Sequence, residues 1–358
     1  MLKWGSLLTA TALLVAPITS CASADSPSGS TGSEAGTVAT SSRLDQVKER
    51  GTLICGVDGG IPGFSFVNEG GDYSGIDVDI CQAVAAAVLG DPEAVEYRNL
   101  DSTERFTALS GGEVDMLSRN TTWTINRDTE VGLEFAPTTF YDGQGMMVRA
   151  DSNIETLEDF AGKAVCVEAG TTTELNLTDN LREAGVADQV EVVTFQQADP
   201  AYAAYSEGRC EGMTSDKSQL IGRRSTLPNP DDHILMDVTM SKEPLGPVTI
   251  NNDSRWFDVV KWVTYGLIEA EELGINQSNV AEQKGSEDPT IRRFLGEEGN
   301  LGEGLGLDND FMAVVVESVG NYGEVYDRNL GAESEFNLDR GQNDLWTNGG
   351  LLYSPPFR

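Results

Sequence analysis

Short apolar runs alternate with helix-like stretches, and the alternation occurs twice along the chain; no other feature restricts the fold as much. From Leu44 the order is TLICGV, a glycine-rich turn GGIPGFSF, a helical IDVDICQAVAAAVLG from about Ile76, then AVEYRNL, a helical ERFTALSGG and VDMLS. From about Val148 a second series runs TLEDFAG, KAVCVEAG, TTTELNLTDNLREAG, QVEVVTF, DPAYAAYSEGRC and EGMTSD. Strands that alternate with helices build α/β layers. The two series agree in the order of their parts and not in residues, which predicts two α/β lobes and a cleft at the C-terminal ends of their strands.

Within the first series, Val78, Cys81, Val84, Ala85 and Val88 recur at spacings of three and four, so the helix is expected to lay one apolar face on its sheet. Asp77 and Asp79 fall in its first turn, where the helix dipole favours negative charge. After the second series the chain passes through KEPLGPVTINND, whose prolines and glycine suggest a return crossing. It then enters DSRWFDVVKWVTYGLIEAEELG, with Trp256, Val259, Val260, Val263, Leu267 and Ile268 on one face. PTIRRFLG and NYGEVYDRNLG also read as helical.

A chain of 358 residues has ample length for such a core. Its 58 acidic and 24 basic residues leave a net charge of -34, which argues against nucleic acid as a partner, because affinity for phosphates depends on lysine and arginine. The acidic excess reads as solubilising surface.

The start, MLKWGSLLTATALLVAPITSC, has one basic residue followed by an uncharged run too short and too rich in alanine and threonine for a convincing membrane span. Residues 1–20 are therefore expected to be an export signal. Ile18-Thr19-Ser20-Cys21 resembles a bacterial lipobox, in which the cysteine is acylated and becomes the new N-terminus. Residues 21–43 then form an acylated start and a flexible tether, since ASADSPSGSTGSEAGTVATSS lacks the apolar residues needed to fold. Such an anchor keeps a soluble domain at a membrane without embedding it.

Four cysteines remain beyond Cys21: Cys55, Cys81, Cys166 and Cys210. An even number in an exported chain points to disulfides, and three pairings are possible. Joining Cys55 to Cys81 and Cys166 to Cys210 keeps each bridge within one lobe and is the expectation. None of the spacings matches a zinc site, and no metal or cofactor is expected.

Polar groups cluster where buried strands end. After VDMLS comes RNTTWTINRD, with Thr122 and Arg127; in the second series EAGTTTEL places glycine and hydroxyl residues at a helix start, a nest of N–H donors, and EGMTSD ends on Asp216. A guanidinium in one lobe and a carboxylate in the other are what a zwitterion requires when both of its ends lose water. Each residue alone reads as a surface ion pair or a helix cap. Their joint occurrence at strand ends of opposite lobes points to a binding cleft.

RFTALSGGEVDMLSRNTTWTINRD, FYDGQGMMV, CVEAGTTTELNL, SKEPLGP, EAEELGI, NYGEVY and LLYSPPFR resemble the substrate-binding proteins of general L-amino-acid ABC transporters, near those for glutamate, glutamine, aspartate and asparagine. The likeness runs from about Leu44 to Arg358. It implies a two-lobed periplasmic binding protein-like fold of type II: two mixed sheets flanked by helices and a hinge of two crossing strands. Lobe 1 would be 44–142 with 247–358, lobe 2 148–240, and the hinge 143–147 with 241–246. The resemblance places the ligand carboxylate on Arg127, the ammonium on Asp216, the strand-end contacts on Asn120 and Thr122, and the hydroxyl segment of lobe 2 on Thr171 and Thr172. Asp58 matches an acid in the first glycine turn.

Where many amino-acid receptors carry an aromatic over the ligand side chain, this sequence has Ile61, with Phe64 nearby. Arg105 and Arg119 stand beside the same strand and would extend the site toward an acidic side chain, unless they bridge to neighbouring carboxylates. The implied function is extracytoplasmic capture of free L-amino acids, polar or acidic and broad in range, by a monomer that delivers them to a membrane permease. The sequence has no GxxxxGK[ST] loop, so the ATPase is expected in a separate chain. Alternatives are a dehydratase-like enzyme of the same fold and a sensory receptor without transport. Catalysis is disfavoured because the single histidine, His233 in PNPDDHIL, reads as part of a solvated loop.

Overall fold

Strand pairing in the computed structural model divides the chain between two five-stranded sheets of the same design. The structure describes residues 41–358; the expected export signal, Cys21 and all but the last residues of the expected tether lie outside them. In the first sheet Val95–Asn99, Leu53–Val57 and Met116–Leu117 run parallel, followed by Val248–Ile250 and Leu133–Phe135, with Val248–Ile250 antiparallel to both of its neighbours. In the second, Glu191–Phe195, Ala164–Glu168 and Gly212–Asp216 run parallel, followed by Gln144–Arg149, antiparallel to Gly212–Asp216 and to the edge strand His233–Leu235.

Each sheet receives its fourth strand just after the chain has crossed from the other. The crossing is an antiparallel ribbon in which Phe140–Asp142 pairs with Glu243–Leu245, Asp142 opposite Glu243. It falls earlier than the 143–147 expected from sequence, because Gln144 already pairs with Asp216 inside the second sheet. The folded part also begins sooner than expected: Ser42 and the Arg43 amide both bond to Asp253, so the tether has ended by that point.

Helix Ile76–Leu89 departs from its expected pattern. Nearly every side of it is buried, while Val88 is only partly so, because helices Ser254–Glu272 and Phe311–Val319 cover the side turned away from the sheet. A helix enclosed between two layers needs apolar residues all round. Asp77 and Asp79 are buried with it, and desolvation pushes their carboxyls up to about 7 and about 6. Both act as internal acceptors. Asp77 takes the Asn120 N–H at 3.0 Å, and Asp79 takes Arg328 and Asn329 of helix Tyr322–Asn329.

The long helix follows its reading, with Trp256, Val259, Val260, Val263, Leu267 and Ile268 all in the core, and Asp253 caps its start. Cys55 is joined to Cys81, which ties strand Leu53–Val57 of the first sheet to its covering helix. Cys166 is joined to Cys210 in the second lobe. His233 is a buried edge-strand residue and not part of a solvated loop; the strand pairing of His233–Leu235 carries it inside, where Nδ1 meets the Tyr205 hydroxyl at 2.9 Å.

Candidate functional site

The polar run after Met116–Leu117 is held in place from three directions. Asn120 adopts a left-handed φ of 35°, and its amide is anchored on Asp77. Thr122 bridges to Leu245 of the ribbon, and the Trp123 N–H donates to the Pro244 carbonyl. Thr124 then caps the short helix Ile125–Thr129, which carries Arg127. On the other side Ala164–Glu168 ends in a turn through Gly170, whose φ of +73° favours glycine, and Thr171 caps helix Thr172–Glu183. Asp216 closes strand Gly212–Asp216 and accepts from Gln219 at 2.6 Å.

These ends meet. Thr122 and Thr172 approach to 3.3 Å between hydroxyl oxygens, and Thr172 also donates to Glu243 of the ribbon at 2.8 Å. Arg119 of the first lobe contacts Glu168 of the second at 3.5 Å, and Ser102 donates to the same carboxylate. Between them lies an inner pocket of about 20 Å³ lined by Ser102, Arg105, Arg119, Asn120, Thr122, Glu168, Thr171, Thr172, Thr173, Ser215, Asp216 and Gln219. That space holds roughly one water, so the lobes must part to admit anything larger. A second chamber of about 320 Å³ adjoins it, with Asp58, Arg119 and Glu168 in its wall.

The arginines differ in what balances them. Arg119 is fully buried and paired with Asp58 at 2.5 Å as well as with Glu168, so its charge is satisfied within the protein. Arg105 and Arg127 are also buried, yet neither has a carboxylate within ion-pairing distance among the described residues. Arg127 donates to the Thr122 carbonyl at 2.8 Å, and Arg105 reaches only the Thr121 hydroxyl at 3.5 Å, leaving its Nε unpartnered. Both guanidinium groups lie against the Phe106 ring. Burial, reinforced by Arg119 and Arg127, drives the Arg105 pKa well down; burial lowers Arg127 to about 10 against the pull of Glu243 and Asp216. Cations left uncompensated out of water attract an anion.

Facing them is an excess of acid. Asp216 is buried, and desolvation followed by Asp142 and Glu243 pushes its carboxyl well above the ordinary range; Asp142 is raised to about 6, chiefly by burial. One side of the cleft thus lacks an anion and the other lacks a cation, an arrangement that suits a ligand carrying both charges.

Asn120, Thr122, Thr171, Thr172, Asp216, Arg105 and Arg119 line the inner pocket together, and Asp58 lines the outer chamber. Arg127 stands one step back, behind Thr122. Ile61 and Phe64 are not part of the site. Both are packed in the first-lobe core, Phe64 edge-on to Phe140 at 5.1 Å, because the small sheet of Gly60–Ile61, Ser65–Val67 and Tyr73–Ser74 turns them inward. Sequence reading missed Ser102, Glu168, Glu243 and Asp142. Glu168 precedes the Gly170-Thr171-Thr172 motif by two residues and was legible as a strand end, whereas Glu243 and Asp142 become visible only once the ribbon pairs them.

The sequence matches the model of the bacterial extracellular solute-binding proteins, family 3, over residues 53–321. It is 49% identical over 322 residues to the general L-amino acid-binding periplasmic protein AapJ of Rhizobium johnstonii, covering 89% of this chain and 94% of that protein. Similarity to the glutamate/glutamine/aspartate/asparagine-binding protein BztA of Rhodobacter capsulatus is 46% over 323 residues, with 89% and 94% covered. Among solved structures, a periplasmic binding protein of an ABC transporter from Brucella ovis with glutathione bound superposes with a TM-score of 0.86 at 46% identity, covering 89% of this chain and all of that one.

Proposed function

The chain belongs to family 3 of the bacterial extracellular solute-binding proteins, and on that premise we propose that it is an extracytoplasmic receptor that captures free L-amino acids between its lobes and hands them to an ABC permease. Relatives named for general L-amino-acid binding and for glutamate, glutamine, aspartate and asparagine binding support a broad, polar ligand range. The Brucella ovis neighbour, with glutathione bound, supports a receptor and not an enzyme. Acylation at Cys21 would hold the protein at the membrane surface, with the ATPase in another chain.

The observation that carries this reading is the pair of buried, acid-free guanidinium groups opposite the buried Asp216. In it, Arg127 and Thr122 take the α-carboxylate with the hydroxyl-rich helix start at Thr171 and Thr172. Asp216 and the strand end at Asn120 take the ammonium, and Arg105 faces the ligand side chain. The lobes close about the ribbon of Phe140–Asp142 and Glu243–Leu245, and the ligand favours closure because it touches both. Two or three charge-assisted hydrogen bonds of about 1.5–3 kcal/mol each, with side-chain burial, suffice for roughly micromolar affinity or better.

Calorimetric titration of the twenty amino acids tests the assignment. Arg127→Ala should weaken every ligand by about 100-fold or more, while Arg105→Ala should weaken glutamate and aspartate selectively. Retention of full affinity by Arg127→Ala, with the fold intact by circular dichroism, would refute the carboxylate assignment.

A further inference from the structure

The outer chamber is many times larger than the inner pocket, and both have Arg119 and Glu168 in their walls, so the two adjoin across that ion pair and join when it opens. Its far wall is built by the second lobe. Arg223 of helix Lys217–Thr226 reaches across to the first lobe, where its guanidinium lies against Gly60; an added Cβ there would come within 2.7 Å of Nη2. Only glycine allows that approach. Arg223 is itself buried, and its cationic head stands over the Tyr202 ring at 5.2 Å.

The buried charges of the chamber do not balance evenly. Arg119 is saturated by Asp58 and Glu168. The carboxylate partner of Arg223 is Asp199, whose side chain is 78% exposed, and the Arg223 Nε has no partner at all. An ion pair with one member in water contributes little, whereas a buried N–H without an acceptor keeps the full cost of its desolvation. Asp101 and Glu104 stand toward the solvent side, where water and salt screen them. The chamber therefore offers one buried cation with donor capacity to spare, at the opposite end from Asp216 and Thr172.

We propose that this chamber is a second subsite, taking the distal end of a ligand longer than a free amino acid and meeting a carbonyl or carboxylate there with Arg223. This rests on the amino-acid clamp described above. The ligand class is an α-amino acid whose side chain continues through an amide, so that head and tail are recognised separately. The head sits in the inner pocket, the chain leaves past Arg119 and Glu168, and the tail acceptor reaches Arg223.

Titration of the full chain with glutamine and with γ-glutamylglycine separates the two levels. Wild-type protein should bind both. Arg223→Gln should weaken the dipeptide about tenfold or more and leave glutamine within about twofold. Ala198→Trp, which fills the chamber from its rim at the start of helix Ala198–Ser206, should do the same without touching Arg223. Glutamine binding with no dipeptide binding by the wild type overturns the subsite and leaves the clamp standing, as does a dipeptide affinity that neither variant lowers. Equal losses for both ligands in both variants would also overturn it. Failure of the wild type to bind either ligand would refute the clamp, and the subsite with it.

Discussion

Glu168 and Arg119 face each other across the cleft at 3.5 Å, joining the end of strand Ala164–Glu168 in the second lobe to the polar run just past Met116–Leu117 in the first. The same Arg119 holds Asp58, and the same Glu168 accepts from Ser102, so four side chains form a small network across the mouth of the inner pocket. The contact favours closure by itself, and in the proposed mode of binding an amino acid entering the pocket would have to rearrange it, which would couple binding to opening.

Glu168→Gln should shift the equilibrium toward the open form. Losing the charge weakens a partly buried cross-lobe contact by about 1 kcal/mol, enough to change the closed fraction several-fold. Small-angle scattering without added amino acid should show a larger radius of gyration than wild type, with the difference vanishing at saturating ligand. An unchanged radius would mean that closure does not depend on this pair.

Asp216→Asn should abolish measurable binding of all amino acids and yet leave the fold at least as stable at pH 7. The Asp216 carboxyl is raised in the folded state by burial and by Asp142 and Glu243, so its ionisation costs stability as pH rises; asparagine removes that loss and keeps an acceptor for Gln219. Calorimetry and thermal melting together check both halves. A binding-competent variant would remove Asp216 from the ammonium site.

Ligand affinity should fall as the solution is acidified. An ammonium needs an ionised partner, and burial holds the Asp216 carboxyl well above the ordinary carboxylate range and raises its neighbour Asp142 to about 6. Binding in this range should therefore release protons, and the Kd should rise as pH falls from 8 to 5. Titration in buffers of different ionisation enthalpy reads the proton count directly; a count of zero near pH 6 would contradict the coupling.

Asp79 offers a separate test of buried acidity. Its carboxyl is raised to about 6, so the folded protein binds more protons than the unfolded one between about pH 4 and 6. The stability it contributes is complete below the unfolded value and is lost as pH rises through about 6. Relative to Asp79→Asn, wild-type stability should fall by on the order of 2 kcal/mol between pH 4 and 7, measured by urea unfolding. Parallel curves for the two proteins would show that Arg328 and Asn329 fully compensate the charge.

Replacing Cys166 and Cys210 by serine opens a loop with a sequence separation of 44 residues. A cost of about 3–4 kcal/mol is expected, seen as a lower denaturation midpoint for the second lobe. Amino-acid affinity should change little, since neither cysteine lines the inner pocket.

Much of the architecture was readable because it is written locally. Apolar alternation, the Asp253 cap and the apolar face from Trp256 to Ile268 depend on neighbours a few residues apart, and the disulfide pairing followed from keeping each bridge inside one series. Ile76–Leu89 was misread as one-faced because the helices that cover its other side begin at Ser254 and Phe311, far along the chain. Ile61 and Phe64 were misplaced for a similar reason, since the Phe140 packed against Phe64 belongs to the ribbon.

By itself the sequence determined two α/β series and the strand ends that carry polar and charged residues. Only the tertiary structure decided which arginine is neutralised and which is left wanting an anion. Arg119, Arg105 and Arg127 look alike along the chain. Asp58 lies 61 residues from Arg119 and meets it when the first lobe folds, whereas Glu168, 49 residues away, reaches it only after the lobes have come together. Charge pairing depends on distances of a few ångströms between side chains in space, which the packing of the first lobe sets for Asp58 and the crossing ribbon sets for Glu168.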